Sequence, residues 1–393
     1  MKALYKWLRR GVRGNIELQR SRRQLRRVVK AEIKAYPMPE PAQAPVRLLV
    51  APANFAGQGH LWARAAERHV VGVAAHSFAM LNGRLDFAVD YSATRRAYAN
   101  PAWQQSQLEH VLGSYSHVLI EAERPVFGGL YGLECSKEIP VLRDAGIEVA
   151  LIAHGSDVRI PSLHAERYEW SPFRDTDWDI IWTLEYNANR NAALLNGFDG
   201  PVLASTPDLL DDVPNALWCP VIVDSSLWAT DELPMRRARP IVAHAPSNAR
   251  MKGSDLIDPV VQELADEGLI EYRRITGVAP HEMPSVYRTA DIVLDQFRIG
   301  SYGVAACEGM AASRVVVGHI ADNVRERVLA ASGLDLPIVE ATPHTLADVL
   351  RDLVKDRERA RDIARSSSEF VNAVHDGRLS ADALTPFLSE VTR

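Results

Sequence analysis

Short apolar, β-branched runs recur along the chain, each followed by a stretch whose apolar positions fall three and four residues apart. The runs Arg47 to Ala51, Val70 to Ala75, Val118 to Glu121, Glu148 to Ala153, Ile180 to Leu184 and Val202 to Ala204 predict strands, and the intervening periodicity predicts helices. Such a βαβ rhythm implies a parallel sheet. It restarts at Ile241 to His244, Ile270 to Ile275, Ile292 to Asp295 and Val315 to His319, with helices expected near 253–266, 282–289 and 303–312. A second doubly wound sheet is therefore predicted. Between the two, Cys219-Pro220-Val221-Ile222-Val223-Asp224 reads as a crossing, preceded by the turn-rich stretch Asp208 to Pro214. The expected organisation is an extension over 1–45, α/β domains over 46–223 and 224–375 with a hinge near 219–226, and a last helix over 376–393 packing back toward the first domain.

Length supports two lobes: 393 residues exceed the roughly 250–300 at which a single core stops growing. Two lobes imply a cleft. With 47% hydrophobic and 24% charged residues the composition is that of a folded globular chain. Cys135, Cys219 and Cys307 are spaced as neither a disulfide framework nor a zinc site, which points to a reducing compartment. No apolar stretch approaches the roughly 18–20 residues that span a bilayer, and the first residues lack a signal-peptide pattern, so a cytoplasmic protein is expected.

Charge changes the picture at one end only. The net charge is −5, yet residues 1–34 carry twelve Lys or Arg against Glu17 and Glu32, leaving the remainder at −15. Leu4, Trp7 and Leu8, then Leu18, Leu25, Val29 and Ile33, keep the helical period, with Gly11 and Gly14 as a break. Two readings stand side by side: a helix lying on an anionic membrane surface, peripheral at the inner face, or a basic helix packed on protein. Nucleic acid is disfavoured because no aromatic platform follows.

In open parallel sheets ligands sit beyond the carboxyl ends of strands, so the loops after strands carry the candidate chemistry. The loop Pro52 to His60 precedes a helix expected near Leu61; Gly57 and Gly59 would let backbone approach an anion, although a tight turn without ligand explains them almost as well. Ala153-His154-Gly155-Ser156-Asp157-Val158-Arg159 gathers polar groups at a strand end, where His154 can donate to a sugar hydroxyl or phosphate and Asp157 can orient neighbouring donors. In His244 to Asp255, Ser247 and Asn248 can hydrogen-bond phosphate oxygens, Lys252 supplies charge, and the next helix points its N-terminus at the same place.

The fourth loop, Asp295 to Ala311, offers the backbone of Gly300-Ser301-Tyr302-Gly303 to phosphate and places Glu308 among apolar residues. Two ribose hydroxyls or an arginine would each satisfy that carboxylate. Asp175-Thr176-Asp177 has the spacing of a metal-binding carboxylate pair, but it precedes the expected strand Ile180 to Leu184 and so reads as a loop at the wrong sheet edge.

These loops, in order and spacing over roughly Arg47 to Glu369, resemble the retaining glycosyltransferases of family 4. ADIVLDQFRIGSYGVAACEGMAASRVVV (Ala290 to Val317) is similar to the family's strand, loop and helix with the second glutamate of E-x7-E; RMKGSDLI (Arg250 to Ile257) is similar to its donor loop, AHGSDVR (Ala153 to Arg159) to its histidine loop, and HEMPSVYRTADIVL (His281 to Leu294) to the helix before the nucleotide-site strand. The resemblance implies a GT-B fold of two facing Rossmann-like domains. It further implies that Glu308 binds ribose, Lys252 neutralises diphosphate, His154 contacts the donor sugar or its phosphate, and Gly59 lies near the pyrophosphate. Two departures stand. Gly300 occupies the first glutamate's position, and Ser247 or Pro246 the donor-loop arginine's, with Arg250 or Asn248 as its substitutes.

The implied activity is transfer of a sugar from a UDP- or GDP-sugar to a glycan or lipid-linked acceptor, with retention, without metal and without a cofactor, in cell-surface polysaccharide or glycolipid synthesis. The competing readings are a catalytically degenerate nucleotide-sugar-binding subunit and a nucleotide-sugar epimerase of the same architecture.

Overall fold

The computed structural model describes residues 37–81 and 87–389 continuously, together with six isolated helical positions between Gln19 and Ala31. The expected amphipathic helix of residues 1–34 otherwise lies outside the described residues.

The first domain is built on a seven-stranded parallel sheet of order β3-β2-β1-β4-β5-β6-β7. Its strands are β1 (Val46–Ala51), β2 (Val73–Leu81), β3 (Tyr91–Thr94), β4 (His117–Glu121), β5 (Glu148–Ala153), β6 (Val202–Ala204) and β7 (Leu217–Trp218). Strands β1, β4 and β5 are buried on both faces, which explains their near-continuous Leu, Ile and Val content. Helices α1 (Gln58–His69), α2 (Pro101–Ser114), α3 (Cys135–Asp144), α4 (Pro161–Arg167) and α5 (Ile181–Asn196) connect them.

The second domain carries the order β12-β11-β10-β8-β9, again all parallel. It comprises β8 (Ile241–His244), α6 (Ser254–Asp266), β9 (Glu271–Arg274), α7 (Met283–Thr289), β10 (Ile292–Leu294), α8 (Val304–Ala311), β11 (Val315–Gly318), α9 (Asp322–Ser332) and β12 (Val339–Glu340). Three helices close the described chain: α10 (Leu346–Lys355), α11 (Arg357–Val374) and α12 (Arg378–Ser389). Leu384, Phe387 and Leu388 of α12 join one core with Val46, Trp62 and Leu203. The segment 218–223 is held on both sides. Gln58 exchanges two bonds with the Ile222 backbone (2.7 and 3.1 Å), Trp62 Nε1 donates to Pro220 O (2.9 Å), and Val223 N donates to His375 O (2.9 Å).

Two expectations need correction. Ile180 to Leu184 is no strand but the start of α5, because the buried positions Ala188, Asn191, Ala192 and Leu195 keep the helical period while the apolar run itself is solvent-facing, with Trp182 83% exposed. The second strand begins at Val73 rather than Val70, since Val71 is fully exposed and Gly72 takes a positive φ of 82°, making 70–72 a turn. Strands β3, β7 and β12, all short, were not anticipated.

Candidate functional site

Each sheet has one place where strand order reverses, and there the loops splay into a crevice. In the first domain it lies between β1 and β4, in the second between β8 and β10.

In the first crevice the loop Pro52–Gly57 runs from β1 into α1, which starts at Gln58, earlier than the expected Leu61. Glu121 ends β4 fully buried, and its carboxylate accepts from Ala53 N (3.0 Å) and Asn54 N (3.0 and 3.1 Å). Gly59, in the first turn of α1, is the residue that allows this: a Cβ there would lie 2.8 Å from both Glu121 oxygens. The positive end of α1 thus faces a carboxylate belonging to the chain itself. His154 stands beside it. Its Nε2 is 3.2 Å from Glu121 Oε1, within ion-pair reach but outside hydrogen-bond geometry, and its ring is held edge-on between Phe55 and Trp62 at 5.3 and 5.2 Å. Asp157 fixes the histidine loop by accepting from His154 N (2.8 Å) and Gly155 N. Arg159 turns inward to pair with buried Asp208.

The second crevice is built from the loops after β8 and β10. Asn248 caps the single helical turn Ala249–Lys252, accepting from Met251 N at 3.2 Å, and both Ser247 and Asn248 are exposed. Gly253 follows with φ 74°; a Cβ there would sit 3.1 Å from Arg298 Cγ, so the two loops touch. Phe297 N donates to Lys252 O (3.1 Å), and this tie brings the Lys252 ammonium onto the Asp295 carboxylate. His244 supports the same loops from beneath. Burial pushes it down to about 4, so its neutral ring donates from Nδ1 to Leu294 O (3.0 Å) and accepts from the Ser254 hydroxyl (2.8 Å).

Glu308, in α8, faces this pair. Burial raises its carboxyl to about 8; Lys252 opposes the rise and Asp295 adds to it. No arginine serves it, and among the described residues its carboxylate makes no hydrogen bond. At neutral pH it is a protonated carboxyl, able to donate one hydrogen bond and accept others.

The rest of the fourth loop is not open. Gly300 takes φ 70°, and a Cβ would meet Tyr168 and Ala321 at 3.2 and 3.3 Å, so a glutamate cannot stand at this position in the present packing. Ser301 is buried. Tyr302 is turned into the core with its hydroxyl 3.2 Å from His375 Nε2, whereas Gly303 is partly exposed at the start of α8.

The segment from α4 to α5 covers this loop. His164, held neutral by burial at about 4, bridges the Ser171 hydroxyl (2.8 Å) and Ile299 O (3.2 Å). Asp177 receives both Arg250 nitrogens at 2.9 and 3.0 Å, and Asp175 receives Arg298 at 3.2 Å. Trp178 lies 5.4 Å from the Arg250 guanidinium. The acidic pair expected at the wrong sheet edge is therefore beside the second domain's loops, because the strand presumed to follow it is a helix. Its partners are arginines. Among the described residues no three His, Cys, Asp or Glu side chains gather as a metal site.

Sequence reasoning left Glu121 and Asp295 out of the site. Both are buried carboxylates at the carboxyl ends of apolar strands, and that was the available signal.

No protein-family model and no curated protein matches the sequence. Solved structures do match in shape. Sucrose-phosphate synthase from Thermosynechococcus elongatus aligns with a TM-score of 0.55 at 12% identity, covering 86% of this chain and 97% of that one. Anabaena HepE in complex with UDP-glucose gives 0.55 at 11%, covering 88% and 99%. The catalytic domain of starch synthase IV from Arabidopsis thaliana, bound to ADP and acarbose, gives 0.55 at 10%, covering 89% and 100%. The fold is GT-B. At such identities the GT-B likeness carries architecture alone, and the chemistry has to be argued from the crevices.

Proposed function

We propose that the chain transfers a sugar from a nucleotide diphosphate donor, bound in the crevice between β8 and β10, to a hydroxyl acceptor on the first domain. The observation that carries this reading is the Lys252–Asp295–Glu308 cluster at the second domain's reversal point, where a cation, a helix start and a protonated carboxyl without a protein partner meet. In this reading Glu308 binds the ribose hydroxyls. Lys252, exchanging Asp295 for phosphate, and Arg250, exchanging Asp177, stabilise the negative charge that grows on the leaving diphosphate.

Such fixed cations can do the work of a divalent ion, so transfer is expected to persist in EDTA. With retention, the acceptor hydroxyl enters on the face the diphosphate leaves, and a diphosphate oxygen takes its proton. UDP and GDP are the preferred candidates, in part because HepE was solved with UDP-glucose. A glycan or lipid-linked acceptor at the inner membrane face would suit the basic segment 1–34.

A second reading, nucleotide-sugar binding without turnover, draws on the burial of Gly300 and Tyr302 under the α4–α5 segment. The test is release of free nucleotide diphosphate from UDP- and GDP-sugars with and without a broad acceptor set, followed by NMR of the product's anomeric configuration. Acceptor-dependent release with retained configuration supports transfer. Nucleotide-sugar binding without release across the set supports the second reading, and an inverted product removes the retaining mechanism.

A further inference from the structure

A separate cavity of about 350 Å³ opens in the first domain between α3 and α5, lined by Glu123, Glu134, Cys135, Arg190, Asn191 and Ala193 among others. That volume is at the low end of the roughly 300–1,000 Å³ typical of small-molecule sites. Its lining includes Glu123, two residues beyond β4, which is only 5% exposed; its carboxyl oxygens accept no hydrogen bond from the protein, and the polar group beside them is the Asp157 carboxylate. A buried carboxyl whose oxygens receive no donor is costly, and native structures rarely keep one without a reason. Here the backbone is also held in the left-handed region, at φ 50°, which projects this side chain from a conformation that L-residues seldom adopt.

The surroundings select among ligands. Asp157 lies beside Glu123 with its oxygens engaged by His154 N and Gly155 N, and together with burial it keeps the Glu123 carboxyl well above the usual carboxylate range. Asn191 is locked in place, donating to Asp157 O at 3.0 Å and accepting from Arg190 at 3.3 Å. Glu134 and the nearby Asp157 carboxylate oppose an anionic ligand and Arg190 opposes an amine. An apolar ligand would leave the Glu123 oxygens unsatisfied.

We propose that this cavity binds a neutral, hydroxyl-rich ligand, a sugar or polyol, whose hydroxyl groups hydrogen-bond to Glu123. The His154–Asp157 loop of the first crevice contacts the lining residues Glu123 and Asn191, and on the transfer reading such a ligand would be the acceptor. That role rests on the transfer reading, whereas the binding itself does not.

The experiment is saturation-transfer NMR of the full chain with D-glucose, D-glucosamine and glucose 6-phosphate as probes at millimolar concentration. The wild type should prefer glucose over the amine and the phosphate. Glu123→Gln keeps a neutral hydrogen-bonding group and should bind within a few-fold, whereas Glu123→Leu should weaken glucose about tenfold, the scale of one lost hydrogen bond. Ala193→Trp fills the cavity from an exposed position of α5, spares the core, and should abolish the signal even if Glu123→Leu proves unfolded in its melting curve. Nucleotide-induced thermal stabilisation, measured on the same variants, should not change, which separates failure of this site from failure of the donor site. An undiminished glucose signal in Ala193→Trp, a preference for either charged probe, or no glucose signal in the wild type would overturn the proposal.

Discussion

The two reversal-point crevices have the same construction and opposite contents. Between β1 and β4 the helix start and loop N–H groups face Glu121, a carboxylate the chain supplies permanently, and Gly59 exists to admit it. Between β8 and β10 the cation Lys252 rests on Asp295, while Glu308 stays protonated and without a protein hydrogen bond. The first crevice supplies its own anion. The second leaves a carboxyl without a hydrogen bond from the protein, which the proposed donor's ribose would supply. A glycine-bearing loop before a helix therefore says little about binding until one knows which residue fills the anion position.

The largest expected effect breaks the first crevice. Glu121→Leu removes the acceptor of Ala53 N and Asn54 N and the neighbour of His154 together, and should destabilise the fold by about 1–3 kcal/mol for each buried donor left unpaired. Urea unfolding measures it, and a loss below about 1 kcal/mol, the net worth of one ordinary hydrogen bond, would show that the carboxylate is not what holds the loop. Gly59→Ala should cost about 1–3 kcal/mol by crowding the same oxygens. A variant as stable as wild type in the same assay would mean that the loop shifts freely.

The second crevice is tested through pH. Glu308 keeps its proton to about 8 in the folded chain but loses it near 4.5 when unfolded. Between those values the native state binds more protons than the unfolded state, so its contribution is full below pH 4.5 and is lost as pH rises through 8. Glu138, also raised to about 8 by burial, acts in the same window. Glu308→Gln should therefore flatten part of the fall in melting temperature between pH 5 and 8. An unchanged slope would place an ionised Glu308 in the native state.

The smallest effect sharpens the comparison. Asp177→Asn, which changes the exposed partner of a half-buried Arg250, should leave the melting temperature unaltered yet raise nucleotide affinity a few-fold by loosening Arg250. Equal affinity in a titration would mean that Arg250 does not reach the donor.

Much of the architecture was readable because strands buried on both faces must be continuously apolar, as LLVA and ALIA are in β1 and β5. The reading failed where an apolar run was exposed, at the start of α5, and where strands were too short to show a period, as in β3 and β7. Within the candidate site, Lys252 and Glu308 stand out in the sequence by their setting after strands. Asp295 and Glu121 were absorbed into strand ends, and the cover over Gly300 depends on Tyr168 and His164 of a distant segment that no local spacing reveals.

The most direct test of the central claim is thermal stabilisation of the wild type, Lys252→Ala and Glu308→Ala by a panel of UDP-, GDP- and ADP-sugars, since a ligand that binds the native state raises its melting temperature by mass action. A shift with one nucleotide, lost in both variants, is the predicted result and names the base. A shift retained in both variants would place the nucleotide elsewhere, and no shift with any of the panel would contradict a donor site between β8 and β10.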